Sequence, residues 1–298
     1  MYQHGWYIVA FERELTDTLT PAVLGDRRLV IVRTDQGIRV FNADCPHRGA
    51  HLGYGGRLNN DCIVCPFHGY RIGLGQEGQV GFQAHEYLTL AVGGLIFIRL
   101  SDQHDNGFGE FMSQLAADHY ILPGFIMPLK VAAPMVVENA FDARHFPVVH
   151  RLKTDKVTVR QEEGLLVVET RIEFPAGPYL QKYNIHYVRS QFTGRAFSPG
   201  IIVTRLQGEE LPYSVMTAAT PQPDGHCILR LALAFPIEKY GTQPDQAFCD
   251  RLLVANQRGL QDDQVIWERL SPTAPHRLTS QDSGVIEFQK YCQRFETA

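Results

Sequence analysis

Cysteine is scarce in this sequence, six residues in 298, and so few excludes the disulfide scaffold of a small secreted domain. Apolar runs are short. The longest, Leu88 to Leu100 (LTLAVGGLIFIRL), cannot span a bilayer and already carries Arg99. No block of basic residues occurs and the net charge is −4, so nothing points to a nucleic-acid partner. The opening MYQHGWYIVAFERELTD has neither the charged n-region nor the long apolar stretch of a secretion signal. Internal repeats and low-complexity tracts are missing as well. These absences lead to the expectation of a soluble, reduced, cytoplasmic protein.

The dinucleotide-binding fingerprint is missing in substance, although GLGQEG (Gly73 to Gly78) fits G-x-G-x-x-G literally. That fingerprint needs a strand before it and a helix after it, so that pyrophosphate meets a helix N-terminus. The following QVGFQAHEYLTL has no helical period, and the stretch reads as a glycine-rich turn. With no nicotinamide or flavin site legible, electrons for redox chemistry must come from another protein.

What is present is ordinary globular composition, 44% hydrophobic and 20% charged, in a chain long enough for one large domain or two of usual size. The first hundred residues read as short strands (GWYIVAF, RLVIVRT, GIRVFNAD, LIFIRL), rich in β-branched and aromatic residues and bounded by Gly, Asp or Asn. The polar SDQHDNGFGE (Ser101 to Glu110) reads as a connector. Beyond it MVVENAFDARHF suggests a helix, six further strand patterns follow, and a last long helix is expected from about Asp245 to Leu270. The reading is an α+β chain, an all-β module over 1–115 and a helix-plus-antiparallel-sheet module over 116–298.

Cys45-x-His47 and Cys65-x-x-His68, seventeen residues apart, form two Cys–His pairs on loops shaped by Pro46 and Gly49 and by Pro66 and Gly69. Two thiolates and two imidazoles suit a [2Fe–2S] centre, the cysteines on one iron and the histidines on the other. The rival is structural zinc on Cys45, His47, Cys62 and Cys65. It leaves His68 idle and breaks the symmetry of the loops. His51, on the exit of the first loop, is expected to cap that loop or face solvent.

ENAFDARHFPVVH supplies a second set of polar groups: Glu138, Asn139, Asp142, His145 and His150. Spacings of three place Asn139, Asp142 and His145 on one stripe if the segment is helical. Two histidines five residues apart diverge by about 140° on a regular helix, so Pro147 is expected to break it and let both converge. Two histidines and one carboxylate make the facial triad of non-haem Fe(II) oxygenases. In the final helix Leu252, Asn256, Leu260, Asp263, Trp267 and Leu270 form a mainly apolar stripe with Asp263 in its middle, where a bare carboxylate is costly unless something positive receives it. Its neighbour Asp262 should point to solvent.

CPHRGAHL and CPFHGYR resemble the cluster-binding motif of the Rieske family. The two extra cysteines of respiratory members would fall at Ala50 and Phe67, and the Ser and Tyr that raise their potential at Tyr70 and Ile72. Their absence places the resemblance with oxygenases and ferredoxins and implies a cluster of low potential, although oxygenases usually carry Trp at the position of Tyr70. N-x-x-D-x-x-H-x-x-x-x-H and a late D-x-x-x-x-E resemble the oxygenases' catalytic domain, a sheet wrapped on a long C-terminal helix. The resemblance implies His145, His150 and Asp263 as ligands of Fe(II), and Asn139 and Asp142 as catalytic-site residues, Asp142 linking the two metal centres across a subunit boundary. It further implies a head-to-tail homotrimer and a separate ferredoxin or flavin reductase. The implied reaction is hydroxylation, desaturation or oxidative demethylation of a mid-sized hydrophobic metabolite. Arene cis-dihydroxylation is the alternative enzyme reading, and a Rieske electron carrier with a non-catalytic binding domain is the alternative from another class. The cavity is expected between the last helix and sheet residues such as Ile201, Val203, Val215, Leu231 and Leu233. The chain is shorter than many relatives, so a substrate-lid segment is expected to be reduced or absent.

Overall fold

The structure is a computed structural model describing residues 2–75, 81–175, 181, 187–208, 211–271 and 273–296. The second half of the glycine-rich turn, residues 76–78, lies outside them.

The N-terminal half is all β: β1 (Trp6–Phe11), β2 (Leu19–Leu24), β3 (Arg27–Thr34), β4 (Gly37–Asn42), β5 (Arg57–Asn59), β6 (Cys62–Val64), β7 (Arg71–Gly73), β8 (Glu86–Val92) and β9 (Leu95–Arg99). Six of these form one sheet in the order β1-β9-β8-β4-β3-β2, and β5-β6-β7 form a small second one. The small sheet and its loops pack on a core drawn only from residues between Leu19 and Ala84.

Helix α1 (Phe108–Asp118) then leads into β10 (His119–Leu129), the edge of the main sheet. α2 (Ala133–Glu138) and α3 (His145–Val149) precede β11 (Lys153–Thr154), β12 (Thr158–Glu162), β13 (Leu165–Pro175), β14 (Tyr187–Ser198), β15 (Ile201–Gln207), β16 (Tyr213–Pro221) and β17 (Cys227–Pro236). The strand order is β10-β17-β16-β15-β14-β13-β11, with β12 also paired to β13, and every pairing is antiparallel. A long helix, α4 (Gln246–Trp267), starts where Asp245 accepts the Phe248 N–H at 2.7 Å, an N-cap that satisfies one of the first turn's free donors. It ends three residues before the expected Leu270. A further helix, α5 (Ser283–Gln293), went unanticipated. Its buried face, Val285, Phe288, Tyr291 and Cys292, has helical spacing.

The two halves share a core. β1 is buried on both faces: Trp6, Ile8 and Phe11 pack with Phe108, Phe197, Ile201 and Met216, while Tyr7 and Val9 face the first sheet's own core. α1 spans residue 115, the expected boundary, and turns Phe108, Met112 and Leu115 into that shared core. All six cysteines are buried and unpaired as disulfides. Among the described residues no helix is long and apolar enough to cross a membrane.

Candidate metal centres and substrate cavity

The two Cys–His loops are built alike. In the first, Cys45 N–H donates to the Ala50 carbonyl at 2.9 Å and Gly49 N–H to the Cys45 carbonyl at 2.8 Å. In the second, Cys65 N–H donates to the Tyr70 carbonyl at 2.8 Å and Gly69 N–H to the Cys65 carbonyl at 3.0 Å. Each turn closes through a glycine with φ of +69° and +74° respectively, a conformation only glycine adopts without strain. The cysteines are buried, His47 is half-buried and His68 exposed. Thiolates would therefore sit inward and imidazoles outward. The two imidazoles face each other with centroids 4.8 Å apart, and Tyr70 lies 4.7 Å from His47.

These residues fit a two-iron cluster. The Nδ1 of His47 is buried without a hydrogen-bond partner, a lone pair that needs an acceptor of electrons. Burial pushes the Cys45 thiol up, so a metal is needed to hold it as thiolate at neutral pH. A single zinc fits less well. Among the described residues the set of three or more ligand atoms lying within 4.8 Å of one another is His145, His150 and Asp263, and no combination with Cys62 converges in that way. Cys62 is fully buried in β6, with Arg71 donating to its sulfur at 3.8 Å. His51 serves the loop, its Nδ1 accepting the Gly53 N–H at 3.0 Å.

The second centre forms where α2, α3 and α4 meet. His145 and His150 stand with ring centroids 5.1 Å apart and nearly perpendicular, at 84°. Asp263, 4% exposed, places Oδ1 3.2 Å from His150 Nε2. Asn139 Nδ2 donates to Asp263 Oδ2 at 3.0 Å and lies 3.1 Å from His145 Nε2. His145 Nδ1 donates to the Asp142 backbone carbonyl at 2.5 Å. This fixes the tautomer and leaves the Nε2 lone pair aimed at Asp263 and His150, the arrangement that orients an imidazole for a metal. Burial holds His145 below its usual pKa, against the opposing pull of the Asp142 carbonyl, and so keeps it neutral, as a ligand must be. Asp262 is exposed and Asp263 buried, as expected of the two.

The route to this convergence differs from the expected one. The helix does not run on to Pro147. α2 ends at Glu138, Asn139–Phe141 form a 3-10 turn, and Asp142 is extended at φ −85° and ψ 93°. Pro147 sits in the first turn of α3, where its missing N–H costs little. The break at Asp142 separates His145 from α2, so Asn139, Asp142 and His145 do not form one helical stripe. His145 and His150 lie beyond it, at the start and the C-cap of the single turn of α3, which Asp263 of α4 meets. The Asp142 carboxylate also turns from His145; its Oδ1 accepts the Arg144 N–H at 3.0 Å. Glu138 leaves the site altogether and accepts from Gln289 of α5 at 3.0 Å. Gly284 of α5 allows the close packing beneath the turn, since a Cβ there would lie 2.3 Å from the Phe141 carbonyl.

A cavity of about 910 Å³ opens beside His150 and Asp263, between α4 and the main sheet. Phe192, Leu206, Val215 and Leu231 give it apolar walls, and Thr204, Tyr213 and Asn256 add polar atoms. Of the sheet residues expected here, Val215 and Leu231 are present. Ile201 and Val203 are not: they point to the opposite face, into the core shared with β1. Leu233 lies in the core around the cavity rather than on its wall. The strand register gives the reason. On β15 the even-numbered Thr204 and Leu206 face α4; both faces are buried over Ile201–Val203, and only the exposed Arg205 and Gln207 at the far end mark the odd-numbered residues as the other face. Tyr213 was unforeseen, whereas Asn256 lines the cavity from the inward stripe of the last helix on which it was expected.

Residues 5–85 match the profile of the Rieske [2Fe-2S] domain, and residues 103–295 that of the 3-ketosteroid 9alpha-hydroxylase C-terminal domain. A chloroacetanilide N-alkylformylase oxygenase component from Rhizorhabdus wittichii is 44% identical over 165 residues, covering 50% of this chain and 46% of its own. A cholesterol 7-desaturase of Xenopus laevis is 38% identical over 81 residues, covering 26% and 18%. The chain thus spans less than half the length of the curated relatives it matches. Dicamba monooxygenase bound to 3,6 dichlorosalicylic acid shares the fold with a TM-score of 0.76 at 18% identity, over 98% of this chain and 97% of that one. A second dicamba monooxygenase structure, which contains non-heme iron and dicamba, aligns with a TM-score of 0.73 at 17% identity, over 98% and 96%. With both halves matched in this order, the chain belongs to the Rieske non-haem iron oxygenases.

Proposed function

We propose that the protein is the terminal oxygenase component of a system that uses O₂ and externally supplied electrons to hydroxylate, desaturate or oxidatively demethylate a mid-sized hydrophobic metabolite. The observation that carries this reading is the convergence of His145, His150 and Asp263, the last two lining an open cleft of about 910 Å³ with apolar walls, the kind of concave site that takes a small molecule. These three side chains would hold ferrous iron, which would supply the binding and activation of O₂.

In this reading the chain's own groups orient and exclude. His145 is presented through Nε2 because the Asp142 carbonyl holds its Nδ1 proton. Asn139, whose Nδ2 donates to Asp263 Oδ2, steadies the carboxylate. Phe192, Leu206, Val215 and Leu231 keep water from the reacting carbon and favour an apolar substrate. Cys45, His47, Cys65 and His68 hold the [2Fe–2S] cluster, with the exposed His68 as the face through which electrons pass.

The homotrimer belongs to the same proposal. The cluster loops pack in a core confined to residues 19–84, and His145 neighbours the separate core of the main sheet. A second copy, arranged head to tail in a closed ring, would set its His68 against the outward Asp142 carboxylate. A ferredoxin or flavin reductase supplies the electrons, and six unpaired buried cysteines suit a reducing cytoplasm.

Product analysis under ¹⁸O₂ with a surrogate reductase tests the reading. A singly labelled alcohol, a desaturated product or a demethylated product with labelled formaldehyde supports it. Two labelled oxygens in one cis-diol reject it.

A further inference from the structure

The face of the main sheet opposite the cavity carries a small pocket of about 140 Å³ at its junction with α1. Arg195 pairs with Val203 and Arg205 with Ser214, so all of these side chains share that face. They meet His119, the first residue of β10, which is 7% exposed. Both His119 ring nitrogens are buried without a hydrogen-bond partner. Among the described residues neither the Arg195 nor the Arg205 guanidinium makes a hydrogen bond or an ion pair, and the Ser214 hydroxyl, on a residue 2% exposed, makes none. Asp118 also lines the pocket, but it is exposed and is in ion-pair range of neither arginine.

This grouping is costly as it stands. The imidazole of His119 is desolvated with no partner on either nitrogen, a state that disfavours folding, and it is flanked by the half-buried Arg195 and the exposed Arg205 with no counter-charge bound between them. Burial and the nearby Arg205 together hold His119 below its usual pKa. One negatively charged group with several acceptor oxygens would relieve all of these defects. It would take charge-assisted bonds from both guanidiniums, which bind planar and tetrahedral oxyanions in a bidentate way, and further donors from His119 and Ser214. The space is several times that of a water molecule, about 30 Å³, and suits an anionic head group rather than a whole metabolite.

We propose that this pocket is a binding site for a small oxyanion, a phosphate or carboxylate group, gripped by Arg195 and Arg205 with His119 and Ser214 as further donors. It lies on the opposite side of the sheet from the iron ligands and is distinct from the substrate cavity. Because α1 and β10 supply one wall and β14 to β16 the other, the bound anion braces the segment that joins the two halves of the chain.

The test is a titration of the iron-loaded protein at constant ionic strength, with inorganic phosphate in one arm and acetate in another, read by calorimetry and by melting temperature. Saturable binding of either anion with a raised melting temperature is expected, and the tighter of the two identifies the head group. Arg205→Gln alone, and Arg195→Gln with Arg205→Gln, should weaken that binding by about tenfold or more while leaving the visible spectrum and iron content unchanged. Absence of saturable binding, or equal binding by the double variant, would overturn the proposal. So would loss of subunit association in the double variant of a protein that binds neither anion, since the occupant would then be a carboxylate of a second copy.

Discussion

Removing the Glu14 carboxylate should loosen the junction between the two halves by a calculable amount. Arg230 of β17 is 5% exposed. Its Nε and Nη2 donate to the two Glu14 oxygens at 2.7 and 2.8 Å, and its Nη1 donates to Thr220 Oγ1 at 2.8 Å. Thr220 in turn donates to the Ile8 carbonyl of β1 at 2.8 Å, and Glu14 also accepts the Phe11 N–H at 2.5 Å. Glu14→Ala strands a buried guanidinium and frees a backbone donor, and breaking such a pair by removing one partner costs about 3–5 kcal/mol. At roughly 2–4 °C per kcal/mol for a chain approaching this size, the melting temperature should fall by about 6–20 °C. Arg230→Met with Glu14→Leu removes both charges and should recover most of the loss, because the desolvation cost disappears with the pair. The assay is a double-mutant cycle of thermal melts read at the cluster chromophore and in the far ultraviolet. A Glu14→Ala change of under about 0.5 kcal/mol, in the range of an ordinary surface substitution, would refute the claim of a buried, coupled pair. So would a double variant no more stable than the single one.

Other outcomes follow from the two centres. His68→Ala should abolish the visible absorption of the [2Fe–2S] cluster, whereas Cys62→Ala should retain it, checked by spectrum and acid-labile sulfide. Gly284→Ala, whose Cβ would meet the Phe141 carbonyl at 2.3 Å, should cost about 1–3 kcal/mol by overpacking and lower mononuclear iron occupancy while sparing the cluster, as metal analysis would read. Asp142→Asn should keep both metals and lose turnover; because the backbone carbonyl holds His145, iron content should not change, and an active variant would remove the bridging role. Burial holds the Glu138 carboxyl above its usual pKa. The folded state therefore binds that proton more tightly, and the group's destabilising effect sets in as pH rises above the unfolded value. Glu138→Gln should accordingly raise the melting temperature at neutral pH, with the gain vanishing in acid below the unfolded carboxylate's pKa.

Legibility in the sequence followed the range of the forces involved. Cys45, His47, Cys65 and His68 could be read because each loop is closed locally by its own proline, glycine and two backbone hydrogen bonds. His145, His150 and Asp263 were legible as chemistry, since a carboxylate on an apolar stripe and paired histidines demand a common partner. The turn at Asp142 was not, because the 3-10 turn Asn139–Phe141 packs closely on Gly284 of α5, a contact between residues far apart in sequence. Ile201 and Val203 were assigned to the wrong face because the first half of β15, Ile201–Val203, is apolar and buried on both sides, and only the exposed Arg205 and Gln207 of its second half mark the register. The Arg195, Arg205 and His119 pocket gathers residues from β10, β14 and β15 that no local pattern links. Strand register alone brings them together.

Quantifying iron and acid-labile sulfide per chain, in the anaerobically purified protein and in a His145→Ala, His150→Ala variant, tests the central claim of two separate iron centres most directly. The account predicts about three irons and two sulfides for the wild type, and about two of each for the variant, with the cluster spectrum unchanged. Zinc in place of iron, or the same two irons in both proteins, would contradict it.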